Sequence, residues 1–195
     1  MKKILLALCI ILTVTGCNDD FIKRSSLTQI AENNFWQSEQ DAFLALNGVY
    51  STLQSSSLYG GSLNGWQGFP GFDGLGDNAF NQYKWEGLGF YMEGTIDPSS
   101  GQLGNIWNDL YRGIARANAV IKNVQTISED LVPADTKKEL LGQAYFLRAL
   151  FYFNVAVYYE DAPLITEPQT LENAYVPKNT YAEITKQIRE DLKLA

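Results

Sequence analysis

The stretch Leu141-Gly142-Gln143-Ala144-Tyr145-Phe146-Leu147-Arg148-Ala149-Leu150-Phe151-Tyr152-Phe153 decides the fold. It lies in a predicted helix that opens at Pro133 or Asp135 and reaches about Tyr158. Its apolar residues, from Leu140 to Tyr158, cover more than one face. A helix apolar on several sides is flanked by neighbours, so this one is expected between others. Arg148 interrupts the apolar run. A buried charge left alone costs several kcal/mol, so a partner is expected. Asp161, Glu160 or a helix-end carbonyl can supply it, clamping the helix to its exit turn.

Downstream, Asp161-Ala162-Pro163 ends the region and residues 164–179 form a connector. Thr180 and Glu183 form a capping box, and Tyr181, Ile184, Ile188 and Leu192 line the face of a last helix. That helix stops at Ala195 without glycine, proline or a polar tail, so the chain is expected to continue in a longer protein.

Upstream, Leu103, Ile106/Trp107, Leu110, Ile114, Ala117, Ile121 and Val124 keep one helical stripe from about Gln102. Trp107 belongs to that pattern and is expected in the core, as is Trp36. Asn118 is expected to be a buried side chain bonding to backbone. A first helix spans Ser38 to Leu53, with Phe43, Leu46, Tyr50 and Leu53 on one face. Ser38 caps it, and Asp41 is placed to return a bond to the Ser38 N–H.

Between these helices the composition changes. Twelve of the 16 glycines fall between Gly60 and Gly104, interleaved with aromatic residues that follow no helical period. This reads as a long irregular loop, with one short hairpin near Tyr83–Tyr91. Long loops inside compact proteins are usually functional or disordered, and the aromatic content argues against disorder. The fold class is therefore mostly α: four helices around one long loop, in a tetratricopeptide-like array with a Gly/aromatic insertion.

The N-terminus has the layout of an exported lipoprotein. Lys2-Lys3 precedes an apolar run, Ile4–Val14, which is short of the roughly 20 residues that span a bilayer. Val14-Thr15-Gly16-Cys17 then reads as a lipobox. Residues 1–16 are expected to be a signal peptide and Cys17 the lipidated first residue. A tether and extended arm follow over 17–34, and the helical domain over 35–195. Cys9 falls within the leader, so the mature chain forms no internal disulfide. Loss of residues 1–16 takes away two lysines: Lys+Arg falls from 15 to 13 against 22 Asp+Glu, and net charge moves from −7 to −9. Such a surface repels phosphate backbones and anionic lipid heads, so nucleic acid is not an expected partner and acyl chains hold the membrane. Histidine is absent, which excludes a histidine-dependent triad or zinc site within these residues. No cofactor is expected and no metal site is assigned, although an all-oxygen calcium site stays open.

Several motifs resemble the SusD/RagB lipoproteins. The stretch quoted first is similar to that family's L-x-G-E-A-x-F-L-R-A-x-x-Y-F helix, with Gln143 in place of glutamate. Tyr159-Glu160-Asp161-Ala162-Pro163-Leu164 is similar to its Y-G-x-x-P-L turn, with Glu160 in place of glycine. Phe35-Trp36, Asp41-Ala42 and Asn47-Gly48-Val49-Tyr50 resemble its first helix. Tyr111, Ile114, Ala117-Asn118 and Ile121 resemble the second. Val176-Pro177, Tyr181, Ile184 and Asp191-Leu192 resemble the fourth. The resemblance implies a tetratricopeptide-like protein on the outer face of a Bacteroidetes-type outer membrane. It would bind oligosaccharides, or in some members peptides, and pass them to a TonB-dependent SusC-like transporter without catalysis. Asn18-Asp19-Asp20 resembles the acidic export tag of such lipoproteins.

Sugar recognition needs flat apolar faces for pyranose C–H groups and polar edges for hydroxyls. In the loop, Trp66, Tyr83, Trp85 and Tyr91 are candidate platforms. Asp73, Asp77 and Asn78 are candidate edges, with Asn81 and Gln82 beside them. The same rings can instead pin the loop to the helices. Two other readings stand beside glycan binding: a helical scaffold with protein partners only, and a glycosidase using Asp73 and Asp77 as its carboxyl pair.

Overall fold

In the computed structural model, described over residues 35–61, 76–77, 94, 97, 99 and 101–195, the quoted stretch lies inside one long helix. In chain order the elements are α1 (Glu39–Leu53), α2 (Gly101–Thr126), α3 (Ala134–Tyr159), β1 (Ala162–Pro163), β2 (Lys178–Asn179) and α4 (Tyr181–Leu194). The chain divides into two compact units, Met1–Trp36 and Gln37–Ala195. In the first, only Phe35 and Trp36 are described. Their rings meet edge to face at 5.1 Å, and Trp36 is a half-buried, non-helical residue rather than a core helical one. The predicted leader, Cys17, the acidic tag and the tether to residue 34 lie outside the described residues.

The second unit is a packed array of α-helices. Helix α3 contacts α1, α2 and α4, as its many-sided apolar pattern predicts. It is long and apolar enough to cross a membrane, but most of that apolar window is buried against the other helices. Side-chain bonds fix the directions. Tyr159 at the end of α3 donates to Leu103 O at the start of α2 at 2.6 Å, and Gln125 at the end of α2 donates to Tyr145 at 3.0 Å. Hence α2 and α3 are antiparallel. Helix α1 runs parallel to α3: Thr136 donates to Glu39 at 3.1 Å and Tyr50 donates to Gln143 Oε1 at 2.8 Å.

The predicted α2 stripe is the buried one, from Ile106 through Leu110, Ile114, Ala117 and Ile121 to Val124. On α1 the buried face is turned by one residue. Ala42, Leu46 and Val49 are inside, Phe43 and Leu53 are half-buried, and Tyr50 is exposed. The small Ala42 lets α1 approach its neighbours, and Tyr50 reaches a polar partner at the rim. Ser38 caps α1 as predicted, accepting from Asp41 N at 3.2 Å. The carboxylate of Asp41 accepts from the Gln37 N–H at 3.2 Å and the Ser38 hydroxyl at 2.7 Å, not from the Ser38 N–H.

The connector is not wholly irregular. Ala162 and Pro163 pair antiparallel with Asn179 and Lys178. The Thr180–Glu183 capping box then starts α4. Ile184 and Ile188 are buried, but Tyr181 and Leu192 are exposed. The buried residue on the last turns is the acidic Asp191.

Candidate functional site

Around Arg148, the polar residues of four segments converge. Its Nε donates to Asp191 Oδ2 at 2.8 Å and its NH2 to Asp191 Oδ1 at 2.6 Å. NH1 donates to Asn118 Oδ1 at 2.8 Å and to Thr166 O at 2.9 Å. Asn118 Nδ2 in turn donates to Ile165 O at 2.9 Å. Tyr152 donates to the same carbonyl at 2.9 Å and accepts from the Ile165 N–H at 2.6 Å. Burial pushes the Tyr152 phenol well above its ordinary range. The fork of a guanidinium matches a carboxylate at two points, which suits a buried pair.

This cluster corrects the expected partners of Arg148. Its carboxylate partner is Asp191 and its carbonyl partner is a connector residue. Asp161 instead accepts from the Tyr181 N–H at 3.0 Å and meets Lys178 at 3.4 Å, which holds its carboxyl below the usual range. The expectation for Asn118 holds.

The cluster has a structural consequence beyond stability. Residues Ile165–Glu167 turn backbone groups toward the helices. Arg148, Asn118 and Tyr152 satisfy them and so set the path of the connector. That path leaves a recess of about 260 Å³ between α2 and the connector, lined by Tyr111, Ile114, Ala115, Ile165, Glu167, Pro168 and Gln169. The Tyr111 hydroxyl donates to Pro163 O at 2.7 Å. Beside Tyr111, the Trp107 ring lies tilted by 39° at 4.6 Å and meets Tyr159 edge to face at 4.9 Å. Trp107 is half-buried in this ladder rather than part of the core.

A second concavity, of about 200 Å³, lies between α3 and α4 and is lined by Phe146, Ala149, Leu150, Phe153, Ile188 and Leu192. Phe146 and Phe153 are 49% and 54% exposed, and Val157 continues their stripe one helical step on.

Of the loop residues predicted to bind ligand, Trp66, Asp73, Asn78, Tyr83, Trp85 and Tyr91 lie outside the described residues, as does the predicted hairpin. Asp77 is exposed in a bend. The buried acid Asp109 has no individual signal in the sequence, and Asp191 has only the resemblance of Asp191-Leu192 to the family's fourth helix. Asp109 accepts from Ser57 and pairs with Arg112. No cluster of three or more metal-ligating side chains occurs among the described residues.

Packed helix pairs joined by a polar buried clasp, with a recess at a connector, define a helical array. The profile of a SusD-like family, described as "Starch-binding associating with outer membrane", matches residues 1–195. The chain belongs to this family, and membership implies an outer-membrane location. SusD-like protein P25 of Formosa agariphila is 29% identical, and the match covers 100% of this chain and 37% of that protein. A SusD-like carbohydrate-binding protein of Bacteroides fragilis superposes with a TM-score of 0.65 at 26% identity, over 82% of this chain and 31% of the other. A laminarin-binding SusD-like protein superposes with a TM-score of 0.66 at 25% identity, over 81% of this chain and 33% of the other. The chain thus spans about a third of the length of these relatives.

Proposed function

We propose that the protein is a cell-surface lipoprotein that captures oligosaccharides and passes them, unaltered, to a TonB-dependent SusC-like transporter. The observation that carries this reading is the family match over the whole chain, together with two SusD-like neighbours that are themselves carbohydrate- or laminarin-binding. In this reading residues 1–16 are removed, Cys17 carries the lipid and 17–34 form the tether. Residues 35–195 belong to a tetratricopeptide-like domain with the Gly/aromatic loop inserted. Acyl chains stabilise the anchor by about 0.8 kcal/mol per buried CH₂, so two or three of them suffice without basic docking. The Asn18–Asp20 run selects the outward face.

The loop rings Trp66, Tyr83, Trp85 and Tyr91 supply stacking faces, and Asp73, Asp77 and Asn78 supply hydroxyl partners. The test is binding of an oligosaccharide panel to the full-length protein and to a Trp66→Ala/Trp85→Ala variant. Loss of binding in the variant supports the loop site; unchanged binding discards those residues. Release of free sugar from a polysaccharide would instead support a glycosidase.

A second reading, a scaffold for protein partners, is favoured by the outward stripe of Phe146, Phe153 and Val157. It predicts that the transporter co-purifies with the wild type and is lost from a Phe146→Ser/Phe153→Ser variant, with no response to glycan.

A further inference from the structure

The recess between α2 and the connector combines three features: a fixed wall, an apolar lining and a polar rim. Its wall is set by buried groups. Arg148 holds Thr166 O, Asn118 and Tyr152 both hold Ile165 O, and Asn118 also reaches Glu167 O at 3.4 Å. A wall positioned before the ligand arrives lowers the ordering cost of binding.

We propose that this recess is a subsite for a single pyranose ring of a bound glycan. Ala115 and Pro168 face the C–H surface of the sugar, with Ile165 beside them, and Glu167 and Gln169 take its hydroxyls. The proposal rests on the glycan-binding reading above but uses none of its loop residues.

Size and charge both select the ligand. Pockets for drug-sized ligands begin at about 300 Å³. At about 260 Å³ this recess takes one ring and leaves the rest of an oligosaccharide outside. Glu167 is exposed at the rim, and a carboxylate accepts from hydroxyls more strongly than a neutral acceptor does. The same carboxylate, on a chain of net charge −7, repels phosphate or carboxylate ligands. A neutral polyhydroxy ring with an apolar face satisfies all of these conditions. Gln169, also on the lining, donates to Ala174 O at 3.4 Å within the connector.

Ala115 and Glu167 are exposed, so both can be changed without touching the core. The test is a titration of the full-length protein, in detergent, with laminarihexaose and maltohexaose, after a glycan array has shown which soluble glycans it holds. Any other glycan found on the array is titrated in the same way. Ala115→Trp fills the recess and is expected to weaken binding about tenfold or more, while Ala115→Ser leaves it unchanged. Glu167→Gln is expected to weaken binding about fivefold. Melting temperatures are compared throughout; if Ala115→Trp unfolds, Glu167→Gln decides. Wild-type affinity in Ala115→Trp overturns the subsite while the glycan-binding reading stands. No binding by the wild type to any glycan on the array overturns both.

Discussion

Arg148 and Asp191 meet as a two-point ion pair, with donor–acceptor distances of 2.8 and 2.6 Å, although 43 residues separate them. Their side chains are 5% and 0% exposed. Removing one partner leaves a buried charge alone, which costs about 3–5 kcal/mol. Arg148→Met and Asp191→Ala are each expected to lower the melting temperature strongly. The double variant Arg148→Met/Asp191→Leu is expected to recover much of the loss, because an apolar replacement of a whole buried pair is often neutral or better. An unchanged melting temperature in Arg148→Met would contradict the clasp.

Glu160, where the resemblance calls for glycine, ends α3 with φ 58° and ψ −100°. A side chain in this positive-φ backbone, outside the left-handed helical well, costs about 1–3 kcal/mol, part of which glycine gives back as entropy in the unfolded chain. Glu160→Gly is therefore expected to stabilise the protein by about 1 kcal/mol, or to raise its melting temperature by about 2–4 °C. A calorimetric scan checks it.

Gly113 of α2 packs under the Phe151 ring of α3. A Cβ built there would lie 2.5 Å from the ring of Phe151, which is fully buried. Gly113→Ala must displace that ring and is expected to cost about 1–3 kcal/mol, the usual penalty of overpacking. Adding Phe151→Leu should restore part of the loss. Denaturant midpoints of the two single variants and the double variant measure the coupling.

Acid stability has a local origin. The Tyr181 N–H, with Lys178 beside it, holds Asp161 below its usual 3.8. The Thr180 N–H, with its hydroxyl, holds Glu183 below its usual 4.5. A depressed carboxyl contributes stability that is complete above its usual value and is lost as pH falls through the folded one. Melting temperature is thus expected to drop below about pH 4.5. The drop should be small, since both groups are exposed, and should shrink in high salt. Asp161→Asn/Glu183→Gln should flatten the acid limb. At the other end, burial raises Tyr111 and Tyr152 above their usual 10.0. Their contribution is complete below that value and is lost as pH rises beyond it.

Much of this architecture is legible in the residues themselves, because local signals carry it. Helix α3 announces itself by Pro133 and by an apolar pattern that only a flanked helix can bury. The Thr180–Glu183 box places the start of α4 to the residue. The partner of Arg148 is not legible in that way. Asp161 and Glu160 are near in sequence and Asp191 is not, and only the antiparallel return of α4 brings it alongside. The α1 face is off by one position for a related reason. Phe43 and Tyr50 are the large residues, yet the tight approach to α2 and α3 selects Ala42 and Val49. The recess at the connector escapes sequence reading altogether, since its wall depends on three side chains from α2 and α3 binding one backbone segment.

Isothermal titration of the full-length protein with oligosaccharides drawn from a glycan array, followed by chromatography of the recovered ligand, tests the central claim most directly. The account predicts saturable binding in the micromolar-to-millimolar range with the glycan recovered intact. Absence of binding across the array, or recovery of shortened products, would contradict it.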